Sequence, residues 1–154
     1  MPYHRKATRL PQPYYRGPRC HFITICCDLR RPHLRGTSIA GAIRDLLLTV
    51  ATRQHFVIHA YCVMPDHLHF LAQGTKSSCE LQEFVRNFKS RSAYAFRQIT
   101  GQRLWEKSYY DHILRDAESL ESVASYIWWN PVRRRLCESP RQYPYSGSQT
   151  MPMW

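Results

Sequence analysis

The chain has 154 residues, 44% hydrophobic and 21% charged, with 22 Lys and Arg against 11 Asp and Glu for a formal net charge of +11. These proportions exclude a wholly disordered chain, and no apolar run approaches the ~18 residues a membrane span needs. The basic field and an aromatic content of 13% suit a polyanion with exposed bases, because cations meet phosphates and rings accept unstacked bases.

The length corresponds to roughly 150 residues per domain, so residues 1–154 read as one domain without a linker. The opening Met1-Pro2-Tyr3-His4-Arg5-Lys6 leads into no apolar stretch, so no secretory leader is expected. The six cysteines, none in a CxxC pair, then read as reduced thiols.

Residues 1–19 carry Pro2, Pro11, Pro13 and Pro18 and read as a basic extended arm. Cys20 to Cys27 contains Phe22, Ile23, Thr24 and Ile25 and predicts a buried strand. A basic loop with Arg30, Arg31 and Arg35 follows. Thr37 or Ser38 caps a helix whose stripe is Ile39, Ala42, Ile43, Leu46, Leu47 and Val50. Residues 54–64 predict a second strand, with His55, Val57, His59, Tyr61 and Val63 alternating against Phe56, Ile58, Ala60 and Cys62. Pro65-Asp66 turns the chain into a third strand, His67 to Gln73.

Ser77-x-x-Glu80 has the pattern of a capping box. The long helix behind it buries Leu81, Phe84, Val85, Phe88, Ala95, Phe96 and Ile99 and stops at Gly101. The second half of residues 104–114 predicts a fourth strand. Asp116 can cap a third helix through Trp129, with Leu120, Val123, Ala124 and Ile127 on its apolar side, and Asn130-Pro131 breaks or re-caps it. Residues 137–154 read as a tail. The succession of elements predicts an α+β sandwich, one mostly antiparallel sheet with helices on one face.

His67 and His69 stand at i and i+2 of a strand, so both imidazoles point to one face and can bind one ion. By itself the pair also fits two surface histidines on a hairpin. Tyr126 and Asn130 stand four apart, hence on one helix face; a core-edge tyrosine and an N-cap are the plainer readings of each. Together, two imidazoles and an amide oxygen leave positions open on a divalent ion, which hard ions fill with water and phosphate oxygens, and imidazole also suits zinc. A tyrosine hydroxyl beside a phosphodiester so polarised is an in-line nucleophile.

Tyr61-Cys-Val-Met-Pro-Asp-His-Leu-His-Phe-Leu resembles the signature MP(N/D)HxHxL of the single-tyrosine HUH transposases. Four further segments agree in order with the REP-associated tyrosine transposases of that superfamily: His21-Phe-Ile-Thr, Trp105 to Asp116, Tyr126-Ile-Trp-Trp-Asn-Pro-Val-Arg and Tyr143-Pro-Tyr-Ser-Gly-Ser. The resemblance covers about residues 14–148. It implies a ferredoxin-like fold with the catalytic tyrosine on a C-terminal helix, His67, His69 and Asn130 as ligands of Mg2+ or Mn2+, and Tyr126 as the nucleophile. It implies cleavage of single-stranded DNA at palindromic hairpins through a 5′-phosphotyrosine.

On that reading Arg16, Arg19, Arg30, Arg31, Arg86, Lys89, Arg133 and Arg134 are candidate DNA contacts. The protein would be a cytoplasmic, nucleoid-associated monomer or homodimer that uses neither a membrane nor a nucleotide cofactor. The resemblance weakens at Arg134-Arg135, where the family usually has Ala-Gly, and at Tyr145-Ser146-Gly147 in place of Trp-Ser-Ser. Tyr94, Tyr109 and Tyr110 are rival nucleophiles, and His59 and His112 are spare histidines. Two other functions compete: a non-catalytic module of the same fold that binds hairpin DNA or RNA, and a replication-initiator-like nickase.

Overall fold

Antiparallel pairing organises the chain. Cys20–Cys26 forms β1, Phe56–Met64 β2 and His67–Gly74 β3, in a computed structural model that describes residues 9–115 and 118–153. Helix α1 (Thr37–Arg53) links β1 to β2, and α2 (Leu81–Thr100) links β3 to β4 (Tyr110–Ile113). Helix α3 (Leu120–Arg133) and the two-residue β5 (Ser146–Gly147) follow. The sheet order is β4-β1-β3-β2-β5, and every ladder is antiparallel. Through β4 the succession strand-helix-strand-strand-helix-strand is that of a ferredoxin-like unit, so the α+β class and the antiparallel sheet agree with expectation.

One detail is corrected. The helices do not share a face. Ile23, Ile25, Leu68, Phe70 and Ala72 lie in the cluster under α1 and α2, whereas Phe22, Ala60, Cys62, Met64 and Leu71 lie in a second cluster under α3. The physical reason is in the central strand. Residues 67–72 of β3 are all buried, and a strand buried on both sides needs cover on both sides. Burying a side chain such as Leu68 or Phe70 contributes about 1.5–3 kcal/mol, so neither face can be left to water cheaply.

The simple alternation expected in β2 also fails. Ile58 pairs with Ala72 and Ala60 with Leu71, which leaves His59 as the extra residue of a bulge. A bulge shifts the period-two pattern by one. Phe56 and Ile58 therefore share the α1/α2 core with Tyr61 and Val63 rather than opposing them.

Helix ends differ in chemistry more than in position. Gly36, not Thr37 or Ser38, occupies the N-cap of α1. Glu80 caps α2, its carboxylate accepting from the backbone N–H of Gln82 and Glu83, while Gly101 ends the helix at φ 71° as expected. The last turn of α2 overruns its packing partners: Phe96 is buried, but Ile99, expected inside, is 81% exposed, and Ala95 is exposed too. For α3, Asp116 lies outside the described residues; Ser119 is the N-cap, accepting from Ser122 N–H at 3.0 Å. Pro131 neither breaks nor re-caps α3, which continues to Arg133.

Both chain ends are docked over the described residues. Arg9 donates to Asp111 Oδ1 at 2.7 Å and to the Tyr109 carbonyl at 2.9 Å, and Tyr15 is buried. The C-terminal tail wraps: β5 pairs with Tyr61 and Cys62, Tyr143 Oη donates to the Val63 carbonyl at 2.6 Å, and Trp128 Nε1 donates to the Gly147 carbonyl at 3.0 Å.

Candidate active site

His67 and His69 project from the central strand β3 toward α3. In register, His69 sits between Thr24 of β1 and Cys62 of β2, and His67 between Cys26 and Met64. Both rings are buried, at 3% and 8% exposure. Their Nε2 atoms are 3.0 Å apart. Each Nδ1 is tied back: His67 Nδ1–H donates to Asp66 Oδ1 at 2.6 Å, and His69 Nδ1 meets Thr24 Oγ1 at 2.7 Å.

These two anchors are unlike. A carboxylate only accepts, so Asp66 locks His67 into the tautomer with the proton on Nδ1 and the Nε2 lone pair facing the cleft. A hydroxyl donates or accepts, so Thr24 can follow either tautomer of His69. Burial is the largest influence on both imidazoles and keeps them below the usual histidine range; both are neutral at pH 7, as metal ligands must be. The His67 N–H, and after it Arg30, holds Asp66 well below the usual carboxylate range. Burial pushes the Cys62 thiol up, so no thiolate stands beside His69 at neutral pH.

Helix α3 supplies the rest. Val123, Ala124, Ile127 and Trp128 anchor it to the sheet. Asn130, expected as a cap in the plainer reading, is instead buried at 7% exposure with Nδ2 at 3.0 Å from His67 Nε2. One turn earlier, the half-buried Tyr126 ring lies 6.5 Å from the His69 ring and 6.2 Å, edge-on, from Phe22. Arg133 places its Cζ 4.2 Å from the Tyr126 ring centre.

The donor set fits a hard or borderline divalent ion. Two nitrogen ligands at ~2.1 Å from one ion, near a right angle, stand ~3 Å apart, which is the observed Nε2 separation. Rotating the Asn130 amide exchanges Nδ2 for Oδ1 in the same volume, offering an oxygen. Among the described residues no group of three His, Cys, Asp or Glu side chains gathers for a metal; the candidate third donor is the Asn130 amide.

The candidate DNA contacts separate into groups. Arg30, Arg133 and Arg134 are close enough to the buried imidazoles to influence their charge, and Arg31 is exposed on the loop beside Arg30. Arg16 and Arg19 are exposed on the arm, with Arg19 Cζ 5.3 Å from the Tyr14 ring. Arg86 and Lys89 lie elsewhere, lining a cleft of about 590 Å3 with Arg9, Arg103, Trp105 and Tyr109. Lys89 is engaged there: its Nζ donates to the carbonyls of Glu106 at 2.9 Å and Lys107 at 3.3 Å.

The rival residues take structural places. Tyr94 is 69% exposed on α2, and Arg9 covers the Tyr109 ring at 3.9 Å. Tyr110 does reach the α3 side, edge-on to Phe22 at 6.2 Å. His59 bonds Thr150 and Gln73, and His112 bonds the Glu118 carboxylate. Thr24 escaped the sequence reading. Its one signal was a hydroxyl amid the apolar residues of β1, two residues past Phe22. Asp66 read mainly as a turn residue, although it also holds His67.

Three comparisons bear on this geometry. A family model described as "Transposase IS200 like" matches residues 17–130. A Haemophilus influenzae protein assigned as a REP-associated tyrosine transposase is 30% identical over an alignment of 152 residues, covering 87% of this chain and 81% of that one. The REP-associated tyrosine transposase of Escherichia coli is 23% identical, over 86% of this chain and 78% of its own. Among solved structures, a REP-associated tyrosine transposase bound to a REP hairpin superposes with a TM-score of 0.72 at 22% identity, covering 95% of this chain and 82% of that one. A Deinococcus radiodurans structure described as a transposase gives 0.56 at 21% identity, over 82% and 95% of the two chains. With the family match spanning most of the chain, and a relative at 30% identity aligned over most of both, this protein belongs to the IS200-like transposases, an enzyme family, and is similar to their REP-associated tyrosine branch.

Proposed function

We propose that the chain cuts and rejoins single-stranded DNA at REP-type hairpins, with Tyr126 as nucleophile and His67, His69 and Asn130 holding Mg2+ or Mn2+. The observation that carries the reading is the pair of Nε2 atoms 3.0 Å apart, both Nδ1 atoms tied back, with the Tyr126 ring 6.5 Å from His69. It is supported by a similar structure described as bound to a REP hairpin.

When bound, the ion supplies Lewis acidity toward a phosphodiester oxygen. The chain's own residues do the rest. Tyr126 Oη attacks phosphorus; an O–P bond forms, the bond to the 3′ oxygen breaks, and the phenolic proton leaves as the 3′ hydroxyl gains one. The phosphoester energy is kept in the 5′-phosphotyrosine, so a second 3′ hydroxyl can reverse the step. Asp66 and Thr24 orient the imidazoles, and Arg133 keeps a positive charge beside the ring that takes the phosphate. Exposed arginines such as Arg31 and Arg134 meet the backbone. On this reading the protein works at the nucleoid, and a monomer or homodimer is proposed. Among the described residues no helix is long and apolar enough to cross a membrane.

The test is a denaturing-gel adduct assay with labelled hairpin oligonucleotides and Mn2+. The expected result is a shifted band that is absent with chelator and absent in Tyr126→Phe, which still retains hairpin DNA on a native gel. Equal adduct from Tyr126→Phe overturns the nucleophile. Hairpin retention with no adduct from the wild type makes the chain a binding module.

A further inference from the structure

Arg30 follows β1 in a tight loop where Leu29 and Arg30 both have φ 55°. Two successive side-chain-bearing residues in the left-handed region are costly, and they persist where the surroundings hold them. Backbone N–H groups close the turn, Arg30 to the Cys27 carbonyl at 2.9 Å and Arg31 to the Asp28 carbonyl at 3.2 Å, and the Arg30 guanidinium ties it to its neighbours. Its Nη2 donates to Asp66 Oδ2 at 3.1 Å and its Nη1 to Cys26 Sγ at 2.9 Å. Asp66 then has Oδ1 left for His67 Nδ1–H at 2.6 Å, and His67 Nε2 faces His69 and Asn130, each at 3.0 Å. Arg30, Asp66, His67 and His69 thus form one chain of contacts from a surface loop to the buried imidazoles.

We infer that Arg30 is a positioning residue for His67, acting through Asp66, rather than a phosphate contact. The inference rests on the metal-site reading above for its consequence, but the contact chain stands without it. Asp66 is 22% exposed and would otherwise turn toward water. The guanidinium fork fixes one of its oxygens and so aims the other. That aim selects the His67 tautomer with Nε2 open, the one able to ligate. Leu29, 71% exposed, is displayed by the same turn and contributes little to the core, so the side-chain contacts this turn makes to the site come from Arg30.

Two readouts test this in the Tyr126→Phe background, where no adduct forms. The first is the long-range 1H–15N spectrum of the histidines without metal. Wild-type His67 should show the Nδ1-protonated tautomer; Arg30→Ala and Asp66→Ala should both move it toward a mixture, and Arg31→Ala should not. The second is Mn2+ affinity by titration calorimetry. Losing an outer partner of a ligating histidine costs about 10–100-fold, so Arg30→Ala and Asp66→Ala should each weaken Mn2+ about tenfold or more, and the double variant no further. An unchanged His67 tautomer in a folded Arg30→Ala protein overturns the inference. So does unchanged Mn2+ affinity with hairpin binding lost to the same degree as in Arg31→Ala. If the wild type binds no Mn2+ while the tautomer shifts as expected, the metal reading falls and the positioning role stands.

Discussion

The Arg133 guanidinium covers the Tyr126 ring at 4.2 Å and donates from Nη2 to the Tyr126 backbone carbonyl at 2.6 Å. The two residues stand seven apart, two turns of α3, so the contact clamps the ring along the helix surface. Cation–π contacts at such exposed sites contribute about 0.5–1 kcal/mol. Arg133→Ala should slow adduct formation about two- to fivefold, the rate equivalent of that energy, while hairpin affinity changes less. Single-turnover adduct kinetics at saturating DNA separate the two effects. An unchanged rate would leave Arg133 a backbone contact only.

Thr24→Val removes the hydroxyl that meets His69 Nδ1 at 2.7 Å, at a site 8% exposed or less. Leaving a buried ring nitrogen unpaired costs about 1–3 kcal/mol. Thermal unfolding should show a Tm fall of roughly 3–10 °C for a domain of this size, and Thr24→Ser should recover most of it. Equal Tm values for Thr24→Val and wild type would remove the anchoring role.

Acid should destabilise the protein in two separate windows. Burial lowers both site histidines in the fold, so below about pH 6.5 the unfolded chain takes up protons that the fold refuses. Stability is therefore full above about pH 6.5 and is lost as pH falls toward the folded values. Asp66 is also lowered, chiefly by the His67 N–H; its contribution is present above about pH 3.9 and is lost only below it. Denaturant midpoints from pH 7 to 5 should fall, and His69→Gln should flatten that slope. A wild-type midpoint constant over this range would contradict the burial argument.

Trp129 follows Tyr126 by three positions on α3 and is 40% exposed. Stacking one unpaired base on such a ring contributes about 1–3 kcal/mol. Trp129→Ala should therefore weaken hairpins with single-stranded flanks about 5- to 100-fold, with little effect on blunt hairpins. Fluorescence anisotropy with both substrates makes the comparison. Equal losses on both would assign the ring to the stem.

Lys89→Ala should act on stability more than on DNA. Its ammonium is spent on two carbonyls of the segment between α2 and β4, and burial lowers it to about 8. Hydrogen bonds from a charged group contribute about 1.5–3 kcal/mol, discounted here because the side chain is only half-buried. A Tm fall with unchanged hairpin affinity is the expected pair of results.

Much of the site was legible from local periodicity. His67 and His69 share a face because strands repeat every two residues, and Tyr126 and Asn130 share one because helices repeat every 3.6. Those relations need no tertiary information. The order of strands and helices likewise followed from apolar patterning and from Gly101 and Pro65-Asp66. Local rules failed where a distant partner outweighed them. The bulge at His59 reversed the parity of β2, Glu80 displaced Ser77 as the α2 cap, and Pro131 stayed inside α3.

The sequence by itself determined which side chains are neighbours along each element, because backbone geometry sets those distances within a few residues. Only the tertiary structure decided that α3 crosses to the face opposite α1 and α2, since that depends on β3 being buried from both sides. That crossing brings Asn130 to His67 over 63 residues of chain. The pairing of β1 with β3 decided the rest, because it sets Thr24 beside His69 and brings the loop carrying Arg30 to Asp66. These contacts are set by packing of whole layers, a global balance that no local spacing encodes.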